Sequence, residues 1–68
     1  MRGRLSNGVE AGCILLTADS GGTWLLLGGD RSALVPGRRV QVTGEVRRGM
    51  LTTCQQGTPL SVRAVTTA

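Results

Sequence analysis

Two segments of the chain alternate apolar and polar residues with a period of two. They are Arg38–Arg47 and Leu60–Val65. A period of two places one side of a β-strand against a core and the other side in water. Both segments are therefore predicted strands with one buried face. The residues expected to face inward are Val40, Val42, Gly44, Val46, Leu60, Val62 and Ala64.

Shorter runs of β-branched and apolar residues, separated by glycine-rich turns, predict the remaining strands. The full set of predicted strands is Arg2–Ser6, Cys13–Ala18, Thr23–Leu27, Arg38–Arg47, Met50–Cys54 and Leu60–Val65. A single helical turn is expected at Asp30–Leu34, with Asp30 as its N-cap and Pro36 ending it. A loop is expected at Gln55–Pro59, so the last two strand segments form one interrupted fifth strand.

This order of elements predicts an all-β domain over residues 1–68. Three strands, a short helical turn, a fourth strand and an interrupted fifth are typical of the OB-fold, a five-stranded Greek-key barrel. An SH3-like barrel is the alternative. The position of the helical turn, between strands three and four, favours the OB-fold-like barrel.

Strands two and three are apolar on both faces, although a barrel has only one interior. Ile14 and Leu16 alternate with Leu15, and Trp24 and Leu26 follow the same pattern in the next strand. The second apolar face must meet the helical turn and loops, a partner subunit, or water. This pattern is the main sequence-level indication of self-association or protein binding.

The composition argues against catalysis and metal binding. The chain has no histidine, two cysteines, and a single aromatic residue, Trp24. Without histidine there is no Ser-His-Asp or Cys-His arrangement, and two cysteines cannot supply the four ligands of a zinc site. The carboxylate of Glu10, in the first loop, is expected to be solvated. We therefore predict a protein that is not an enzyme and that needs no cofactor and no metal.

The net positive charge indicates an alternative function, which is weak binding of single-stranded nucleic acid. The chain has eight arginines and four acidic residues, which give it a net charge of +4. OB-folds bind single strands between their first-to-second and fourth-to-fifth loops. The candidate contacts are Trp24, Arg38, Arg39, Arg47 and Arg48. One stacking ring and a charge of +4 would give weak, salt-dependent binding. Packing in the barrel or at an interface is the simpler interpretation of Trp24, and solvated turn charges are the simpler interpretation of the arginines.

The two cysteines, Cys13 and Cys54, lie on segments that can approach each other in an OB-type barrel. They form either a disulfide or two buried thiols, and the disulfide is favoured. In the chain-entropy model, closing a loop of about 41 residues stabilises a fold by about 4 kcal/mol, which is large for a core of this size. A disulfide would indicate an extracytoplasmic location, and free thiols a cytoplasmic one. No apolar run exceeds four residues, so no transmembrane helix is predicted.

Much of the chain resembles a group of small bacterial OB-type β-barrel proteins of uncharacterised function. The stretches that carry the resemblance are Gly3–Cys13, Thr17–Gly28, Pro36–Gly44 and Thr53–Val62. Their glycine, cysteine and valine spacings imply a fold and a paired-cysteine arrangement but no activity. We therefore expect a non-enzymatic binding or structural module that contacts itself or another protein, with nucleic-acid binding as the alternative.

Overall fold

Five strands and no helix are present in the computed structural model, which describes residues 1–9, 12–29, 32–49, 54 and 56–68. The strands are β1 (Arg2–Asn7), β2 (Ile14–Ala18), β3 (Thr23–Leu27), β4 (Arg39–Val46) and β5 (Thr58–Thr67). The first four match the predicted segments to within one residue at each end. The predicted all-β class is confirmed.

The strands close into a barrel in the order β1-β2-β3-β5-β4, and β4 pairs back onto β1. Neighbouring strands are antiparallel except β3 and β5, which run parallel with Leu26 opposite Leu60. The turn between β2 and β3 uses Gly21 and Gly22, both at positive φ, as a tight hairpin requires. Closure leaves the barrel one interior, which the inward residues of all five strands fill.

The interior is a single apolar cluster of aliphatic side chains. Its buried members are Leu5, Ile14, Leu16, Leu26, Leu34, Val40, Val42 and Leu60, and Trp24, Val62 and Val65 pack against them. Four of the residues that the period-two pattern expected to face inward lie in or against this core, namely Val40, Val42, Leu60 and Val62. Leu34 enters the core from the connection between β3 and β4.

An irregularity between β4 and β5 changes one of the predicted inward positions and brings in a residue that was not predicted. Thr43 pairs with Ala64 but Gly44 pairs with Val62, so Arg63 is one additional residue on β5. Such a bulge reverses the alternation beyond it. Ala64 was expected inside and is exposed, while Val65 packs against the core.

Two other positions near this irregularity that were expected to face inward, Gly44 and Val46, are exposed. A side chain at Gly44 would overlap the backbone carbonyl of Ser61, so the two strands can approach closely here only because this residue is glycine. Val46 was also expected to be buried. It is 43% exposed, because β4 ends there at the open end of the barrel.

The predicted loop Gln55–Pro59 is wrong in its second half. Thr58 and Pro59 are the first two residues of β5, where they pair with Trp24 and Leu25 of β3. Pro59 lacks an N–H but still accepts a hydrogen bond from the Arg47 N–H at 2.8 Å, and proline is tolerated near the start of a strand. The predicted strand Met50–Cys54 lies outside the described residues except for Cys54, which is not in a strand.

The predicted helical turn at Asp30–Leu34 lies partly outside the described residues, which begin again at Ser32. Ser32 and Ala33 form a turn, and Leu34 is buried. Gly37 then redirects the chain at a φ of 90°. Its N–H donates to the Leu5 carbonyl at 2.7 Å, so this connection is fixed to β1 before β4 begins.

Candidate functional site

The structure places Cys13 and Cys54 at disulfide distance, as the predicted pairing requires. Their Cα atoms lie 6.0 Å apart, within the range of disulfides, although 41 positions separate the residues in the chain. Cys13 lies immediately before β2. Cys54 lies between β4 and β5. The bond therefore fixes the β4–β5 connection against the start of β2.

A second apolar cluster lies outside the barrel, around this disulfide. Leu15 of β2 and Leu25 of β3 are paired in register and point outward. Both are buried, Leu25 to 1% exposure, together with Cys13, and Leu27 and Cys54 pack against them. The outer face of β2 and β3 is thus covered by the chain itself. Of the coverings that the sequence left open, the described residues show Cys54 and Leu27 against this face.

Trp24 points into the barrel. Its partner in the β2–β3 ladder is Leu16, which is fully buried, and the indole packs against the interior cluster. Its Nε1 atom is buried and makes no hydrogen bond to the described part of the chain. The only aromatic ring therefore lies away from the outer surface on which an OB-fold stacks bases.

Arg39 is held at the start of β4 by an ion pair. Its guanidinium donates two hydrogen bonds to the Asp19 carboxylate, at 3.1 and 2.5 Å. The hydrogen bond from Arg39 lowers the pKa of Asp19, and the nearby charges of Arg2 and Arg4 lower it further. Asp19 in turn raises the pKa of Arg39. Arg38 beside it has an exposed side chain, and its carbonyl accepts a hydrogen bond from the Leu5 N–H at 2.9 Å.

The other predicted arginine pair lies past the far end of β4. Arg47 contacts the carboxylate of Glu45 at 3.4 Å, and Arg63 of β5 pairs with the same carboxylate. Arg48 is exposed in the following turn. Eight residues separate Arg39 from Arg47, which is roughly 26 Å along a strand. The structure therefore does not bring the five nucleic-acid candidates together on one face.

One part of β4 has an uncovered edge in the described structure. The β1–β4 ladder runs from Arg39 to Gln41, and Val42 extends it by exchanging hydrogen bonds with Met1 at 2.7 and 3.0 Å. Beyond this point, Thr43–Val46 pair only with β5 among the described residues. A cleft of about 280 Å³ opens here. It is lined by Met1, Val42, Thr43, Gly44, Val46 and Leu60.

The sequence did not predict two features of the outer surface of β1 and β4. Arg2 and Arg4 lie close to Asp19 on the outside of β1, and the signal for this was their alternation with the buried Gly3 and Leu5. The exposed edge beyond Val42 had no sequence signal, because it depends on where the β1–β4 ladder ends. Glu10, a candidate loop carboxylate, lies outside the described residues.

Neither a metal site nor a membrane-crossing helix is found within the described ranges. No three potential metal-ligating side chains come together there. No helix that could cross a membrane occurs among those same residues.

The barrel and its single cross-link define a class of small, closed five-stranded domains fixed by one disulfide. Residues 2–66 match the family model described as "Protein of unknown function (DUF5818)", and the chain belongs to this family. No curated protein and no solved structure matches the chain. Family membership therefore supplies no activity, and the functional argument rests on the surfaces described above.

Proposed function

We propose that this chain is a non-enzymatic, OB-type barrel of bacterial origin that acts as a structural and protein-interaction module by pairing with a second copy of itself. The strand order, with β3 and β5 parallel, supports the OB-type assignment. The motif resemblance supports the bacterial origin. The observation that carries the interaction is the edge of Thr43–Val46, which no strand covers among the described residues, beside an apolar cleft.

An uncovered strand edge carries backbone N–H and C=O groups that can pair with another chain. Most sheet edges in this barrel are removed by closure. Val46 and Met1, 43% and 40% exposed, place apolar side chains next to this edge. Pairing would satisfy the backbone groups and remove these side chains from water, and both effects favour association.

Charge complementarity favours a second copy as the partner. Glu45 and Arg47 lie on either side of Val46 in the sequence. If two β4 strands pair antiparallel about Val46, each Glu45 lies opposite Arg47 of the other copy. Opposite charges across a strand pair stabilise it, and like charges would destabilise it. This register also brings the two Val46 side chains together.

The disulfide supports a location where disulfides persist, outside the reducing cytoplasm. It also weighs against the alternative of nucleic-acid binding. On the face where OB-folds bind single strands, Leu15 and Leu25 are buried against Cys13 and Cys54, and Trp24 points inward. No surface of the described structure combines the aromatic ring with the arginine pairs, so that alternative remains a prediction with no geometric support.

Analytical ultracentrifugation of the oxidised chain from about 10 µM to 1 mM tests self-association. We expect a reversible species of twice the 7.1 kDa chain mass. The variant Val46→Lys places a charge on the edge, as natural proteins do to block pairing, and should be monomeric. Val35→Lys is the matched control, since Val35 is 40% exposed but lies outside β4. A wild-type monomer at every concentration, or equal loss in both variants, would reject the proposal.

A further inference from the structure

Three arginines and one aspartate form a charged surface on the outside of β1 and β4, here called the arginine face. Its members are Arg2, Arg4, Arg39 and Asp19. The arginines point outward because they alternate with the buried residues Gly3, Leu5 and Val40. All four side chains belong to exposed residues. This surface lies on a different part of β4 from the edge that the proposed function uses.

The strand register concentrates positive charge on this face. Arg4 lies directly opposite Arg39 in the β1–β4 ladder, where side chains of an antiparallel pair are about 5 Å apart and like charges destabilise the sheet. Asp19 forms an ion pair with Arg39 only. In the described part of the chain, Arg2 and Arg4 have no carboxylate partner. Two positive charges therefore remain unbalanced.

Neutral groups hold two of these guanidinium groups in place. The Nε atom of Arg2 donates to the Gln41 side-chain oxygen at 3.2 Å. Arg4 reaches the Gly37 carbonyl at 3.5 Å. A guanidinium has five N–H donors, so each arginine keeps most of its donors available. The face is thus partly organised before any ligand arrives.

We propose that the arginine face binds a short chain of phosphate groups, as in an inorganic polyphosphate. Guanidinium groups match phosphate oxygens with two parallel hydrogen bonds. Arg2 and Arg4, two residues apart on one strand, are spaced by about 6.6 Å, and neighbouring phosphates of one chain can contact both. Trp24, the sole aromatic residue, faces the interior. The face therefore offers phosphate contacts but nothing on which a base can stack.

Calorimetric titration with inorganic tripolyphosphate at about 50 mM salt tests this assignment, and ¹⁵N NMR locates the site through the Nε–Hε signals of the arginines. We expect one site whose signals are those of Arg2, Arg4 and Arg39. Arg4→Gln should weaken binding about tenfold, the usual effect of removing a charged hydrogen-bond partner. Arg48→Gln removes the same charge at an exposed position past the end of β4 and should change affinity less than about twofold.

A second variant gives the opposite sign and cannot be explained by misfolding. Asp19→Asn removes the competing carboxylate and releases Arg39, so it should tighten tripolyphosphate binding by about threefold or more. Glu45→Gln makes the same charge change among Arg47 and Arg63 and should have a smaller effect. Equal effects of the two acidic variants, or of Arg4→Gln and Arg48→Gln, would show a response to net charge alone and overturn the proposal.

Two further titrations identify the source of the phosphate chain. A nucleoside triphosphate should bind no more tightly than tripolyphosphate, because the face has nothing to contact its base. An oligo-dT of equal charge should bind no more tightly than polyphosphate. Tighter binding of the oligonucleotide would assign the face to single-stranded nucleic acid and contradict the polyphosphate proposal. Self-association is measured separately, so failure here leaves the proposed pairing of β4 untouched.

Discussion

Two apolar surfaces of the barrel differ in their exposure. The outer face of β2 and β3 is buried, whereas the apolar side chain at the edge of β4 is exposed. The β2–β3 face carries more apolar residues in sequence, yet Leu25 is only 1% exposed because it packs with Leu15 and the two cysteines. The β4 strand alternates with polar residues, yet Val46 is 43% exposed at an edge with no strand beside it among the described residues. On β2 and β3, the apolar pattern therefore marked a second buried cluster. The apolar surface that stays exposed lies on β4, beyond the end of the β1–β4 ladder.

This difference has a physical origin. Residue type indicates which side chains favour burial. Whether a strand edge is free to pair depends on the register of the neighbouring strands, which the individual residues do not reveal. The cysteine pair lies within the second apolar cluster. This cluster adds buried surface to a chain of 68 residues whose barrel has little interior volume. The predictions below test whether the covered face and the open edge differ as described.

Replacing Cys13 and Cys54 together with serine should produce the largest effect. It removes the cross-link of a 41-residue separation and leaves the cluster of Leu15 and Leu25 less covered. We expect the free energy of unfolding to fall by about 4 kcal/mol, measured by urea denaturation of the oxidised wild type and the variant. A decrease below about 1 kcal/mol would mean that the loop is held by other contacts.

Truncating one leucine and one valine compares the two regions directly. Leu25→Ala should cost about 3 kcal/mol, since it opens a cavity in a buried cluster. Val46→Ala should cost less than about 1 kcal/mol in a dilute monomer, because much of that side chain is already in water. Both values come from urea denaturation followed by Trp24 fluorescence. Equal costs would mean that the covered and open surfaces do not differ.

The Asp19–Arg39 pair should give the smallest effect. Its hydrogen bonds hold the pKa of Asp19 below the ordinary value for aspartate. A lowered native pKa contributes stability above the unfolded pKa of about 3.9, and this contribution is lost as the pH falls through the native pKa. Carbon-13 NMR titration should therefore find a low pKa that rises in Arg39→Gln. An unchanged pKa in that variant would contradict the ion pair, and Arg48→Gln is the control.

The sequence predicted the strands and the cysteine pair well, because both depend on local pattern and residue type. It failed where one additional residue changed a register. Alternation alone placed Ala64 inside, but the extra residue Arg63 reverses the order and brings Val65 in. The start of β5 at Thr58 was missed because its pairing with β3 is parallel and long-range.

The candidate site was less predictable for the same reason. Arg38 and Arg39 were recognised as a pair in sequence, but the charge cluster in the structure joins Arg39 to Arg4 across a ladder. Trp24 was a candidate for stacking, with packing in the barrel or at an interface as the favoured interpretation, and the structure packs it inside opposite Leu16. Neighbours across a sheet, and not neighbours along the chain, determine these surfaces.

The most direct test of the account is the oxidation state of Cys13 and Cys54 in the folded chain. The protein is folded in a glutathione redox buffer, denatured without reductant, treated with an alkylating reagent, and weighed by mass spectrometry. We predict that neither cysteine is alkylated before reduction and that both are alkylated after it. Two alkylated cysteines before reduction would contradict the covered β2–β3 face as described here.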